Sequence, residues 1–420
     1  MSVTLDHIQR ADEPAIATTI RNAGLAGAGG AGFPTYAKWE RLDEAPFLLV
    51  NHQESEPNYY IDKWLGKNHP EVFAEFFDAL LEETFDVIVV CAKHTDRKEW
   101  MRPLEAVTDA TVYTPDDLPL DATAESGVVM AYTEDKYEFG MESVLMRIVA
   151  DVAMRDELPM DHGWIVQNTE TMFNLYHTLD DGETMTHKLV HVDGNVPSHR
   201  FFEVPVGTPA SALLEAAGRP PSTLTEDEQL ADGGPGWCFG VNDSPEAFGV
   251  SKRTNCVLVL DEDVVAENTL GNDRINVLNT RDWTGDHETE PTRLSPETVR
   301  IPLITNSSLT PIVDRSRPVV EEGQSVSAGE MIAVPGEGDV SNTQHASIAG
   351  TVTNITDDYV EIIKQEEEKS AAGERESLPT TLDHEYMVYW TWCDDCGAYI
   401  ARPELDHLGH KLTYVCQDCR

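Results

Sequence analysis

Lysine and arginine are scarce in this chain. Of 420 residues only 30 are basic against 75 acidic, a formal net charge of −45. No basic stripe exists to neutralise phosphates, which argues against direct nucleic-acid binding. Long apolar runs are also missing. None approaches the roughly 20 residues that a membrane helix needs, so no direct membrane span is expected. The start has no signal-peptide pattern, since Met1-Ser2-Val3 leads straight into Asp6, His7 and Arg10. The expected location is cytoplasmic, or peripheral to a membrane complex. Cysteine is sparse: there are seven, an odd number, and four are concentrated between Cys393 and Cys419. That is a metal pattern of a reducing compartment rather than a disulfide framework. No Ser/His/Asp or other hydrolytic constellation stands out.

The acidity is spread over the whole length. Such self-repulsion destabilises a compact state at low salt, and it largely vanishes in molar salt, where the Debye length is about 3 Å. A halophile's cytoplasm is therefore expected. An acidic surface for a basic partner is the competing reading.

Glycine is abundant in one place. From Gly24 to Trp39 five glycines (Gly24, Gly27, Gly29, Gly30, Gly32) fall within nine residues, followed by Phe33-Pro34-Thr35 and Lys38. A chain gives up that much conformational entropy where backbone must turn tightly or meet a ligand closely, and bare N–H groups suit a phosphate or a flat ring. Gly27 to Gly32 satisfies G-x-G-x-x-G, but the context is wrong for a Rossmann loop, because a helix rather than a strand precedes it. In that helix Asp12 can cap, Pro14 can sit in the first turn, and Ile16, Ile20 and Leu25 share a face. A non-Rossmann ligand cradle is the sharper reading and a flexible surface loop the plainer one.

Further along, Phe47–Val50 reads as a buried strand that delivers the polar cluster Asn51-His52-Gln53-Glu54-Ser55-Glu56. A helix is expected over 71–81 and a doubly covered parallel strand from Asp86 to Cys91. Another helix is expected from Lys93 to Val107, a strand at Val112-Tyr113, and a helix opening at Tyr137-Glu138-Phe139-Gly140-Met141-Glu142 and running through Val149. Asn168 or Thr169 can cap a following helix. From Lys188 the texture changes to β-β-α. Cys91, Cys238 and Cys256 read as buried thiols.

These segments together resemble the FMN/NADH-binding flavoprotein of respiratory complex I, and still more the C subunit of Rnf-type oxidoreductases and the cobalamin reductase of propanediol utilisation. The resemblance rests on Gly-x-Gly-Gly-Ala-Gly-Phe-Pro-Thr with its Lys, on Asn51, Glu54 and Glu56, on Tyr137, Gly140 and Glu142, and on Asn168, Glu170, Thr171 and Asn174. Gln53 and Met141 stand where the complex I type has acids, and Ala28 stands where relatives carry a positively charged or larger residue. The resemblance implies an α/β fold. A flavin-binding α/β sandwich (1–185) would be followed by a soluble-ligand-binding β-grasp domain (186–265) and an all-β barrel-sandwich domain (299–365), with a zinc ribbon (383–420) added. FMN would rest on Gly27, Gly29, Gly30 and Gly32, with Lys38 near its phosphate and Asn51 on the flavin. Glu56, Tyr137, Gly140 and Asn168 would complete the cofactor site. NADH, as substrate, would stack on Phe33 and pass hydride to the flavin, with Glu54 and Glu142 as the catalytic acids. Electrons would leave to a separate protein acceptor or to complex subunits.

Two departures bear on this. Relatives carry two ferredoxin-like clusters after the β-grasp domain, each needing four thiolates, and 261–299 contains no cysteine. No Lys lies between Arg300 and Ile363, so the barrel-sandwich segment lacks a residue for a swinging arm. Gln365–Leu378 reads as a charged linker. In the tail, Cys393-x-x-Cys396 and Cys416-x-x-Cys419 form a strong structural zinc-ribbon signal, with a rubredoxin-like iron site as the alternative and His407 and His410 not needed as ligands. The expected function is an NADH dehydrogenase-type flavoprotein subunit. The other reading is a non-catalytic scaffold that kept the fold and lost electron transfer.

Overall fold

A continuous apolar strand sits at the centre of the N-terminal domain. β2 (Val87–Lys93) is buried at every position, which only a sheet covered on both faces requires. The chain reaches it through α1 (Glu13–Ala23), the glycine loop, the single turn α2 (Tyr36–Trp39), β1 (Phe47–His52), α3 (Ile61–Asn68) and α4 (Pro70–Glu83). It continues through α5 (Arg102–Thr108), β3 (Thr111–Tyr113), β4 (Gly127–Thr133), α6 (Glu142–Ala150), β5 (Trp164–Asn168) and α7 (Thr169–Asp180). The sheet order is β3-β4-β2-β1-β5, and every pairing is parallel. The computed structural model describes residues 13–155, 157–306 and 312–365, and the backbone of Val388–Trp392 and Tyr399–Pro403. Residues 1–365 form one compact unit and 366–420 a second.

The helices cover the sheet with the side chains that their spacing promised. Ile16 and Ile20 of α1, with Leu25, are buried, as are Phe73, Phe76, Phe77 and Leu80 of α4. The aromatic stripe of α4 is therefore core. Asp12 lies outside the described residues. Two expected helices are interrupted. Between Lys93 and Thr108 the chain makes a 3₁₀ turn and a π turn before α5 begins, and Pro103 sits in the first turn of α5, where its missing N–H costs nothing. Tyr137–Gly140 is a separate 3₁₀ turn. Met141 is extended there (φ −77°, ψ 128°), so α6 starts at Glu142.

A second sheet follows, of mixed pairing and order β11-β9-β8-β10-β6-β7-β12. It comprises β6 (His187–Gly194), β7 (Arg200–Pro205), β8 (Glu228–Gly234), β9 (Trp237–Gly240), β10 (Cys256–Asp261), β11 (Arg274–Ile275) and β12 (Thr292–Arg293). The helices α8 (Ala210–Ala216) and α9 (Glu262–Asn268) accompany it. The sheet thus runs on past residue 265: β11 and β12 are edge strands, and Val277 and Trp283 are buried in its core. Cys91, Cys238 and Cys256 are buried free thiols. Residues 298–364 add a four-stranded and a three-stranded sheet around Val299, Ile301, Val352 and Ile362. Val388–Trp392 and Tyr399–Pro403 pair as an antiparallel ribbon. Cys393, Cys396, Cys416 and Cys419, with His407 and His410, lie outside the described residues.

The second sheet is tied to the first domain through buried charge. Lys188 on β6 donates from Nζ to Glu170 Oε2 on α7 at 2.5 Å, with side chains 0 % and 4 % exposed. Lys252 joins three segments. Its buried Nζ donates to the carbonyls of Gly24 and Thr343, each at 2.7 Å, and burial lowers its pKa to about 7.

Candidate functional site

Parallel register places the polar ends of two strands side by side. Asn51, at the end of β1, is the direct partner of Asn168 at the end of β5. Because β5 lies on the opposite side of β1 from β2, strand order reverses here. Open α/β sheets leave a crevice at the carboxyl ends of their strands at such a point. A cleft of about 670 Å³ opens there, within the ~300–1,000 Å³ usual for small-ligand sites.

The glycine loop forms one wall. Gly27 N donates to Phe33 O at 2.8 Å and Gly32 N to Gly27 O at 2.9 Å, closing the loop on itself. Ala28 N donates to Thr171 Oγ1 at 3.0 Å, anchoring it to α7. Gly29, Gly30 and Ala31 line the cleft, and among the described residues their amides donate to no protein acceptor. Gly30 has φ +94°, the left-handed conformation that anion-binding backbone nests use. A Cβ on Gly29 would lie 2.9 Å from Asn168 Cβ and Cγ, which explains glycine there.

Asn168 Oδ1 accepts from the amides of Glu170 and Thr171 at 3.0 and 3.3 Å, capping α7, while its Nδ2 donates to Asp62 Oδ2 at 2.8 Å. The cap and the cleft are thus one residue. Asn51 Nδ2 donates to Gly140 O at 2.9 Å. Glu54 sits at φ +40°, a strained region for a residue with a side chain. Its carboxylate accepts from Ile61 N at 3.0 Å and Lys63 N at 2.9 Å, so it clamps the start of α3. Glu56 accepts from Tyr137 OH at 2.6 Å and from Gly236 N at 2.8 Å, which fastens the β8–β9 turn of the second domain to the cleft. Burial pushes the carboxyls of Glu54 and Glu56 up. Asp62 is held well above the usual range by burial and then by the neighbouring charges of Glu54 and Glu170.

Gly29, Gly30, Asn51, Glu54, Glu56, Tyr137, Gly140, Glu142 and Asn168 therefore meet in one cleft although they come from four distant segments. Gly27, Gly32, Phe33 and Lys38 are not among its lining residues. Lys38 Nζ is engaged, donating to Glu142 Oε2 at 2.9 Å and to Val166 O at 2.8 Å. Gln53 is turned into the core, with Nε2 donating to Cys91 Sγ at 3.2 Å and Oε1 accepting from Thr133.

The second domain supplies lining residues that the sequence did not single out: Trp237, Phe239, Arg253 and Asn255. Trp237 is 42 % exposed, and the Arg274 guanidinium lies 3.9 Å from its ring centroid. Their one sequence signal is the basic pair Lys252-Arg253 in the turn that leads into β10, in a chain poor in bases. Asn306 contributes from beyond the second sheet and donates to Ala31 O at 2.7 Å.

The free amides and polar side chains fit a flavin nucleotide, since they offer donors to a phosphate or ring edge, and the acids flank rather than fill the loop. The cleft holds no cluster of thiols. Among the described residues the only group with metal-ligand spacing is the largely exposed His177, Asp181 and Glu183, away from the cleft lining. No helix among them is long and apolar enough to cross a membrane.

Residues 20–177 match the family model described as the Nuo51 FMN-binding domain. A cobalamin reductase of Citrobacter freundii is 26 % identical over 252 residues, 59 % of this chain and 50 % of that protein. The C subunit of an ion-translocating oxidoreductase complex of Vibrio cholerae is 25 % identical over 243 residues, 57 % of this chain and 29 % of that protein. The chain thus spans half of one relative and less than a third of the other. A solved NAD+-reducing [NiFe]-hydrogenase in the H2-reduced state overlays with a TM-score of 0.48 at 23 % identity, over 62 % of this chain and 49 % of that one.

Proposed function

Residues 20–177 are a domain of the Nuo51 FMN-binding family, and from that premise we propose that the chain is a flavoprotein subunit that holds FMN in the cleft and passes electrons to a separate protein acceptor. The observation that supports it is the convergence of Gly29–Ala31, Asn51–Glu56, Tyr137–Glu142 and Asn168–Glu170 on one cleft at the carboxyl ends of β1 and β5. A bound flavin would supply the conversion between two-electron and one-electron chemistry, and the protein's share is positioning and electrostatics. The Gly29, Gly30 and Ala31 amides would hold its anionic or ring-edge oxygens, and Asn51 and Asn168 would fix its position. NADH is the proposed hydride donor. Trp237, with one face covered by Arg274, offers a second flat ring a stacking surface at the same cleft.

The segment 261–299 contains no cysteine to ligate a cluster, which supports reading the acceptor as a separate protein. The later domains are read as β-grasp and barrel-sandwich modules, and Cys393, Cys396, Cys416 and Cys419 as a structural zinc site that serves protein contacts. A second reading, a scaffold without catalysis, is favoured by one observation: Glu56 and Tyr137 are already engaged in fastening the second domain.

An absorbance spectrum of protein purified in high salt, repeated after anaerobic NADH, separates these. A flavin band that bleaches supports the dehydrogenase. A band that does not bleach keeps the cofactor and removes NADH. No flavin after reconstitution leaves the scaffold.

A further inference from the structure

The cleft is an unfavourable place for an anion unless something offsets its acids. Five carboxylates line it: Glu54, Glu56, Asp62, Glu142 and Glu170. Lys188 pairs with Glu170 and Lys38 with Glu142, so both lysines are committed. Among the described lining residues Arg253 is the one cation. It comes from the second domain yet runs along the glycine loop, for a Cβ on Gly32 would lie 3.2 Å from both Arg253 Cβ and Cδ. Its Nη2 donates to Asp232 Oδ2 at 2.6 Å. A guanidinium has five N–H donors, and Nε and Nη1 meet no acceptor among the described residues.

Two residues on, Asn255 points to the same place. It is 8 % exposed, it lines the cleft, and its Nδ2 lies 3.9 Å from where a Cβ on Gly30 would stand. Its Oδ1 is buried without a partner. Buried amide groups are normally satisfied, so an unmet carbonyl oxygen, which takes a ligand donor such as a ribityl hydroxyl, beside three unmet backbone amides, which take an anion, marks a ligand's place.

We propose that the Arg253 guanidinium and the Asn255 Nδ2 close an anion site against the amides of Gly29, Gly30 and Ala31, and that this composite site takes the phosphoryl group of flavin mononucleotide, with Asn255 Oδ1 left for a donor on the same ligand. The proposal rests on the flavin reading above. It moves the phosphate contact from Lys38, which is occupied, to the second domain. The guanidinium supplies a charge-assisted fork that the loop, with Ala28, does not contain. Asp232 holds Nη2 and orients the fork, leaving Nε and Nη1 for the phosphate. Flavin retention then depends on docking of the second domain, which Lys188–Glu170 and Glu56–Gly236 secure.

Riboflavin, which lacks the phosphate, separates this contact from the rest of the site. The full chain, stripped of cofactor in molar KCl, is titrated with FMN and with riboflavin by flavin fluorescence. Wild type binds FMN the tighter of the two. Arg253→Gln paired with Asp232→Asn, which leaves no unpaired buried charge, weakens FMN on the order of ten- to a hundredfold and leaves riboflavin unchanged. Asn255→Ala weakens FMN to a smaller degree. Equal wild-type affinity for FMN and riboflavin overturns the phosphate site and keeps the flavin. Equal weakening of both ligands in the double variant makes Arg253 a packing residue and also overturns it. A wild type that binds neither flavin removes the flavin reading and this inference with it.

Discussion

Replacing Lys188 by Met tests whether the first two sheets of the compact 1–365 unit are held together by buried charge. Lys188 is fully buried, and its Nζ meets Glu170 Oε2 at 2.5 Å and the Leu189 carbonyl at 2.8 Å. Glu170 Oε1 accepts from Leu189 N at 3.2 Å. Lys188→Met leaves the carboxylate without its counter-charge, and breaking such a pair costs about 3–5 kcal/mol. Adding Glu170→Gln removes the stranded charge and keeps an acceptor for Leu189 N, so the double variant recovers most of the loss and the coupling is at least ~2 kcal/mol. The exposed pair Arg315–Asp358, with side chains 50 % and 71 % exposed, is the control, and Asp358→Asn costs ~0–1 kcal/mol. Urea denaturation in 2–3 M KCl, followed by tryptophan fluorescence, reads all four. Molar salt removes the surface contribution and leaves the buried one. Burial pushes Glu170 up even with Lys188 opposing it, and loss of Lys188 pushes it further. A raised carboxyl stabilises at low pH and loses that contribution as pH rises through its folded pKa, so the Lys188→Met deficit is smaller at pH 5 than at pH 8. A deficit below about 1 kcal/mol, or one independent of pH, would refute the reasoning.

Three further outcomes are expected. Gly29→Val drives a branched side chain into Asn168, 2.9 Å from the ideal Cβ, so it loses flavin retention and roughly 1–3 kcal/mol of stability. Gly27→Ala, whose Cβ meets Phe33 backbone at 3.6 Å, keeps both; equal flavin retention in the two variants would end the placement. Burial lowers Lys252 to about 7, so between pH 7 and its unfolded value the unfolded chain binds the extra proton. Stability then rises with pH across that window and is flat on this account below it; Lys252→Met flattens the rise in urea midpoints, and an unchanged slope would count against the assignment. Metal analysis after purification in high salt finds about one zinc per chain, reduced by Cys393→Ser, and a metal-free wild type would remove the ribbon.

Much of the first domain was legible because its signals are local. An all-apolar run such as Val87–Ala92 can only be a covered strand, and the phenylalanine stripe of α4 can only face a core. The interrupted helices were less legible. The 3₁₀ and π turns before α5 and the extended Met141 break the helices without breaking the apolar spacing, so periodicity ran straight through them. The site was half legible. Asn51, Glu54, Glu56, Tyr137 and Asn168 could be named from their motif, yet nothing in the motif says that Glu54 clamps α3 or that Glu56 holds the second domain.

The sequence alone determined composition-level and short-range properties. These are the acid surplus, the absence of a membrane-length apolar run among its residues, the cysteine pairs of the tail, the strand and helix faces, and the glycine loop whose bare amides need a partner. Each depends on neighbours within a turn or a strand, where geometry is fixed by bond lengths and sterics. Tertiary structure alone decided which residues share the cleft. Arg253 stands more than two hundred residues from the glycine loop it runs along, and Lys38, close to the loop in sequence, is drawn away by Glu142 and Val166. Such pairings follow from parallel register and domain docking, which sum contacts over the whole chain and leave no local pattern to read.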